Sequence, residues 1–235
     1  HLFQQKQRFY HSLFQVLKEA KPEAVIDVAA PGWTLPLLER MPEISQKIAL
    51  PFKHGQLGLG ERIRFGKSLQ QHAYTQAILL TNSLKSAILP FAARIPQRTG
   101  FLGEMRYGLV NDIRPLDKRA LPRSVDRFVA LGLDAKKTLP KKIPNPVLIT
   151  DANQAAATLA KLGRSQPISP VLGLCPGAEY GEAKRWPAEY YAEVANHALN
   201  QGWEVWLFGS EKDVPVTSKI NLLTQQRCLD LGGKT

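Results

Sequence analysis

Short apolar or β-branched runs alternate with helix-like stretches along the chain, and that alternation restricts the fold more than any other feature. Residues 24–30, 47–51, 77–80 and, weakly, 98–101 read as strands. Between them, residues 12–20, 60–72, 83–93 and 122–133 read as helices, with Pro90 placed to bend or end the third. The alternation breaks at residues 136–146, which are proline-rich, charged and without period, as a stiff linker would be. It then resumes with a helix from Asp151 to Leu162 and a strand over 171–175. A helix opened by Pro187 runs to about Leu199, then come a strand over 204–208, a helix over 214–226 and a strand starting at Cys228. Strands spaced by helices imply parallel sheets covered on both faces. The reading is therefore α/β, with two Rossmann-like domains: residues 1–135, a linker over 136–147, and a shorter domain over 148–235 that looks cut off.

A length of 235 residues allows one large domain or two small ones. With 44% hydrophobic and 22% charged residues, collagen-like, low-complexity and wholly disordered classes are excluded. Cys175 and Cys228 are too few for a disulfide framework or, alone, a structural zinc site. No run reaches the ~18 apolar residues of a membrane span, and no signal peptide is visible at the start, so a cytoplasmic location is expected. Charge is uneven. Residues 1–150 hold 23 Lys/Arg against 11 Asp/Glu, a net of +12, whereas residues 151–235 hold 8 against 9, a net of −1. Such asymmetry suggests that one half meets an anion; a solvated basic face is the alternative.

Ligands of open α/β sheets bind outside the carboxyl ends of the strands, and two such ends in the second half carry suggestive chemistry. In the loop over 175–187, Gly177 and Gly181 let backbone N–H groups approach an anion. Lys184 and Arg185 add positive charge, and the following helix aims its N-terminus there. That combination suits a diphosphate, although the loop is neither a Walker A motif nor a G-x-G-x-x-G fingerprint. In the loop over 208–213, Gly209 permits close approach, and Glu211 or Asp213 could accept from a ribose. The plain alternatives are a βα loop with surface cations and an N-cap cluster.

Four segments are then familiar: residues 82–87 (NSLKSA), 98–112 (RTGFLGEMRYGLVND), 176–187 (PGAEYGEAKRWP) and 207–213 (LFGSEKD). Together, and in this order, they resemble the bacterial ADP-heptose:lipopolysaccharide heptosyltransferases of type II, glycosyltransferase family nine, from about Ser12 to Thr235. The resemblance implies a GT-B fold and inverting heptosyl transfer without a metal or other cofactor. It also implies a place in inner-core lipopolysaccharide synthesis in a Gram-negative cytoplasm. On that basis Gly177, Ala178, Lys184, Arg185, Gly209, Ser210 and Glu211 are expected to hold ADP-heptose, with Lys184 near the diphosphate and Glu211 near the nucleoside. Asn82, Ser83, Lys85, Arg98 and Arg106 are expected to face the phosphorylated heptosyl-Kdo-lipid A acceptor at the inner membrane, whose anionic groups match the +12 charge.

Two departures stand out. The family begins with a hydrophobic strand and a Gly-Asp loop carrying the expected general base, but residues 1–11 contain no glycine and no acid. The family also continues to a Thr-Asn-Asp-Ser-Gly loop beyond the last residues here. The chain therefore reads as a fragment or interrupted gene product of impaired activity, with no catalytic residue assigned and His11 only a nominal substitute base. His54, His72 and His197 read as surface or packing residues. Trp33, Trp186, Trp203 and Trp206 read as core or domain-face packing, and Cys175 as an inert buried thiol. The competing function is a non-catalytic anion- or nucleic-acid-binding protein. Against nucleic acid, the chain shows no helix-turn-helix, aromatic ribonucleoprotein motif or zinc finger.

Overall fold

The computed structural model describes residues 2–52, 55–135, 137–178 and 182–234. Two compact units emerge, Leu2–Thr150 and Asp151–Thr235.

The first unit opens with α1 (Leu2–Ala20), which starts ten residues before the helix expected from Ser12. The stretch Gln4-Gln-Lys-Gln-Arg8 consists of good helix formers, so absence of a strand pattern there meant helix. Tyr10, Leu13, Phe14 and Val16 form its buried stripe. That stripe packs on α5 (Ser124–Gly132), where Tyr10 meets Phe128 edge-to-face at 4.6 Å. Gly132 makes the close approach possible: a Cβ there would strike Leu13 and stand 3.1 Å from Leu17 Cδ2. Each fully buried apolar side chain of this kind contributes about 1.5–3 kcal/mol relative to exposure.

Strand β1 (Asp27–Pro31) pairs in parallel with β2 (Gln46–Leu50), from Asp27 opposite Gln46 to Pro31 opposite Leu50. Between them lies the short α2 (Leu35–Leu38). Next come α3 (Leu59–Ser68), β3 (Gln76–Leu79), α4 (Leu84–Ala92), β4 (Gln97–Phe101) and β5 (Asp112–Arg114). The last three strands form a parallel sheet in the order β3-β4-β5. Pro90 sits in the last turn of α4, which ends two residues later as expected, and its carbonyl accepts from Ile95 N–H at 3.1 Å. Strand β5 is tied to β4 through Asp112, which accepts from Thr99 Oγ1 at 2.8 Å and from both ends of the Arg114 fork. Those donors, Arg114 first, hold the Asp112 carboxyl down at about 2. The proline-rich stretch beyond residue 136 lies with this unit: Leu139, Ile143 and Leu148 pack on its core, and Ile149 N–H donates to Arg40 O at 2.9 Å.

The second unit runs α6 (Ala152–Lys161), β6 (Val171–Leu174), α7 (Ala188–Asn200), β7 (Glu204–Gly209), α8 (Val214–Leu223) and β8 (Leu229–Gly232). Its sheet is parallel, ordered β6-β7-β8. Asp151 caps α6 by accepting from Asn153 and Gln154 N–H. Alanines 188, 192, 195 and 198 share a core with Val205 and Leu207 of β7 and Ile220 of α8.

Candidate functional site

In the second unit the parallel strands all end on one edge, with β7 and β8 running two residues beyond β6. Leu174 faces Leu207 and Gly209 faces Gly232, so the loops after β6, β7 and β8 leave the sheet from one edge. The Gly233 N–H donates to Gly209 O at 2.8 Å, joining the last two loops. Asp213 organises the rest. Its Oδ2 accepts from Ser210 N–H at 2.9 Å and from Ser210 Oγ at 2.7 Å, closing the turn that leads into α8. The glycines are explained by this buried carboxylate: a Cβ on Gly177 would run into it, and one on Gly209 would lie 2.7 Å from Asp213 Cβ. Asp213 is therefore committed to the loop and withdrawn from the ribose role expected of it, whereas Glu211 is exposed at the same edge. Lys184 and Arg185 are exposed beside the start of α7, and Arg185 Nη2 donates to Ala178 O at 3.1 Å. Gly181 lies outside the described residues.

In the first unit the loop after β3 and the loop after β4 are bound together. Arg106 is wholly buried between them. Its Nη1 donates to Thr81 O at 2.7 Å and to Ser86 Oγ at 3.2 Å; its Nη2 donates to Phe101 O and, at 3.5 Å, to Asn82 Oδ1. Burial lowers the Arg106 pKa, partly offset by the nearby Glu104 carboxylate. Glu104 in turn accepts from Leu84 N–H at 2.9 Å, capping α4, and its own N–H donates to Asn82 O at 3.3 Å. A Cβ on Gly103 would lie 2.8 Å from Asn82 Cβ, so this loop can approach no other residue type so closely. Arg98 gives its guanidinium to the carbonyls of Ile95 and Leu109, each at 2.6 Å. Asn82 is exposed, and Ser83 and Lys85 are half-buried at the start of α4.

Residues 62–235 match the model of glycosyltransferase family 9 (heptosyltransferase). The chain belongs to glycosyltransferase family 9. Lipopolysaccharide heptosyltransferase 2 of Salmonella typhimurium is 46% identical over 233 residues, covering 95% of this chain and 67% of that protein. Lipooligosaccharide heptosyltransferase 2 of Haemophilus influenzae is 46% identical over 236 residues, covering 96% and 67%. The solved structure of Escherichia coli ADP-heptose lps heptosyltransferase II superposes with a TM-score of 0.88 at 41% identity, covering 97% of this chain and 69% of that one. The parallel sheets and these neighbours establish the α/β, GT-B type of fold for this family 9 enzyme chain.

Within this glycosyltransferase the sequence-based candidates separate. Gly177, Ala178, Lys184, Arg185, Gly209, Ser210 and Glu211 gather at one sheet edge. Asn82, Ser83 and Lys85 lie at the β3–α4 junction; Arg106 is close by but wholly buried, with Nη1 and Nη2 engaged in holding the loop from inside. His11 is fully buried, with Nε2 2.7 Å from Glu43 Oε2, which removes it from the role of substitute base. Cys175 is exposed, contrary to the buried thiol expected; Cys228 is the buried one, its pKa raised by burial. Trp33, Trp186 and Trp203 are exposed and not core, because their indoles sit on turns and helix starts; Trp186 packs on Tyr190 and Tyr191 at 5.5 and 5.1 Å. Trp206 is partly buried, donating to Glu204 Oε2 at 3.0 Å. His72 stacks on Tyr74 and His197 meets Gln201, while His54 lies outside the described residues. Sequence reasoning missed Glu104, whose position three residues after Phe101 in the second familiar segment was its only signal.

Proposed function

We propose that the chain transfers a heptosyl group from ADP-heptose to the heptosyl-Kdo-lipid A inner core of lipopolysaccharide, with inversion, at the cytoplasmic face of the inner membrane. The observation that carries this reading is the shared edge of β6, β7 and β8. There two tightly packed glycines, two helix starts and the exposed Lys184 and Arg185 converge. A departing ADP concentrates negative charge on its diphosphate, and fixed N–H dipoles with nearby cations stabilise that charge as it develops. The Asn82–Lys85 segment and the loop stapled to it by Arg106 are assigned to the phosphorylated acceptor, where Lys85 serves as a point charge. Exposed Leu102, Met105 and Tyr107 on that loop add apolar contact area. Deprotonation of the acceptor hydroxyl requires a base, and none of the residues described above is assigned to it.

Names of relatives support the donor and the pathway: the E. coli neighbour is an ADP-heptose lps heptosyltransferase II and the Salmonella relative a lipopolysaccharide heptosyltransferase 2. Calorimetric titration with ADP tests the donor half directly. Lys184→Ala should weaken ADP binding by about 1.5–3 kcal/mol, the worth of a hydrogen bond to a charged group. Equal affinity in the two proteins would overturn the assignment of Lys184 to the diphosphate.

A further inference from the structure

The first unit carries an apolar groove of about 730 Å³ between α3 and α4. Its origin is a close helix contact: Gly66 on α3 lies so near α4 that a Cβ would come 2.6 Å from Ala92 Cβ and 2.7 Å from Leu89 O. Away from that contact the helices expose apolar side chains at helical spacing, Leu59 and Ile63 on α3, and Leu84 and Phe91 on α4, with the buried Ile88 beneath them. Exposure reaches 50% at Leu59, 36% at Ile63 and 51% at Phe91, so these side chains line a surface and not a core. Scattered exposed apolar residues need no explanation, but a contiguous patch does.

Cations edge this patch. Lys67 and Arg94 line it and are exposed, and the Arg98 guanidinium lies 5.5 Å from the Phe91 ring centroid. Over residues 56–98 there are six Lys/Arg and a single acid, Glu61. An apolar floor with a cationic rim matches one kind of partner: a bilayer surface, whose acyl region takes Phe91, Leu59 and Ile63 while its headgroup phosphates meet the rim. We propose that the α3–α4 groove is the face by which this chain lies on an anionic lipid surface. The proposal rests on the reading that the acceptor is carried in a membrane, and it names the surface that would bring the enzyme there. Among the described residues no helix is long and apolar enough to cross a membrane, so such contact would be made from one side.

Co-sedimentation with vesicles tests it. The full chain should bind vesicles of phosphatidylglycerol mixed with phosphatidylcholine and bind pure phosphatidylcholine far less. The pair Lys67→Glu and Arg94→Glu should lower binding about tenfold or more. The pair Ile63→Ser and Phe91→Ser, both at exposed positions, should do the same without changing the circular dichroism spectrum. Reversing the exposed Lys161 and Arg164 of the second unit should change little. Wild type that ignores anionic vesicles, groove variants that bind like wild type, or a control pair that loses as much would each overturn the proposal. So would a groove variant that turns a dimer into a monomer while vesicle binding persists, since the face would then be a contact between two copies. ADP titration of the same variants separates the two ideas. Failure of all proteins to bind ADP would sink the donor assignment while leaving the vesicle result standing.

Discussion

Asp213 shows how a buried carboxylate shapes the loops at one end of a sheet. It receives the N–H and hydroxyl of Ser210, fixes the turn before α8, and occupies the space in front of Gly177 and Gly209. Gly177→Ala must therefore displace Asp213 or the β6 loop, at a cost of about 1–3 kcal/mol, the range for inserting a methyl group into a packed site. Denaturant unfolding should show that loss, and ADP titration should show weakened binding alongside it. A substituted protein as stable as wild type would mean that the loop after β6 can move aside freely. The gathering of Lys184, Arg185, Gly177 and Gly209 at one sheet edge was legible in the sequence because each follows the end of a strand-like run. Arg106 was not. Its residue type announces five donors, but the sequence does not tell a guanidinium offered to solvent from one spent on the carbonyls of Thr81 and Phe101. The burial of Cys175 and the core placement of Trp33, Trp186 and Trp203 failed for the same reason, since polarity and size do not determine which side of a loop faces water.

Elements were more legible than side chains, because a strand or helix averages over many residues. The parallel α/β order and the strands β1, β3 and β6 to β8 follow from apolar or β-branched runs that suit a covered parallel sheet, whereas β2 and β4 are more weakly marked. The three-residue β5 escaped notice, as Asp112-Ile-Arg114 offers one apolar side chain and owes its place to the Asp112–Arg114 and Asp112–Thr99 bonds. Helix α8 ends at Leu223, short of the expected 226, because Gln225 and Gln226 both take positive φ of 57°. The α3–α4 pair turns on one residue. Ala is the better helix former than Gly by about 1 kcal/mol, yet Gly66→Ala should destabilise the protein by about 1–3 kcal/mol. The added methyl meets Leu89 carbonyl and Ala92 Cβ, part of α4 itself and not the end of a flexible chain, so the helices must part. Thermal unfolding followed by circular dichroism would show it, and a raised melting temperature would mean that the contact can relax without cost.

At the scale of the whole chain, charge is divided along the same line as the fold. The basic excess lies in residues 1–150, with a net of +12, while residues 151–235 are nearly neutral at −1. A field of that size acts over distance on a polyanionic partner, whereas a nucleotide held by one strand edge depends on short contacts. Ionic strength should therefore separate the two activities. Raising salt from about 0.1 M to about 1 M shortens the screening length from about 10 Å to about 3 Å, which removes most long-range attraction and leaves contacts within hydrogen-bonding distance. Binding to micelles of phosphorylated acceptor should fall by about tenfold or more over that range, and ADP affinity by much less. The same series run with duplex DNA distinguishes an acceptor surface from a nucleic-acid surface. Every polyanion gains from the +12 field at low salt, but only a partner that also uses the Asn82–Lys85 segment should lose further binding when Lys85→Glu is introduced at high salt. Acceptor binding that ignores both salt and Lys85→Glu would assign the basic half to solvation and leave the acceptor site to be sought elsewhere on the chain.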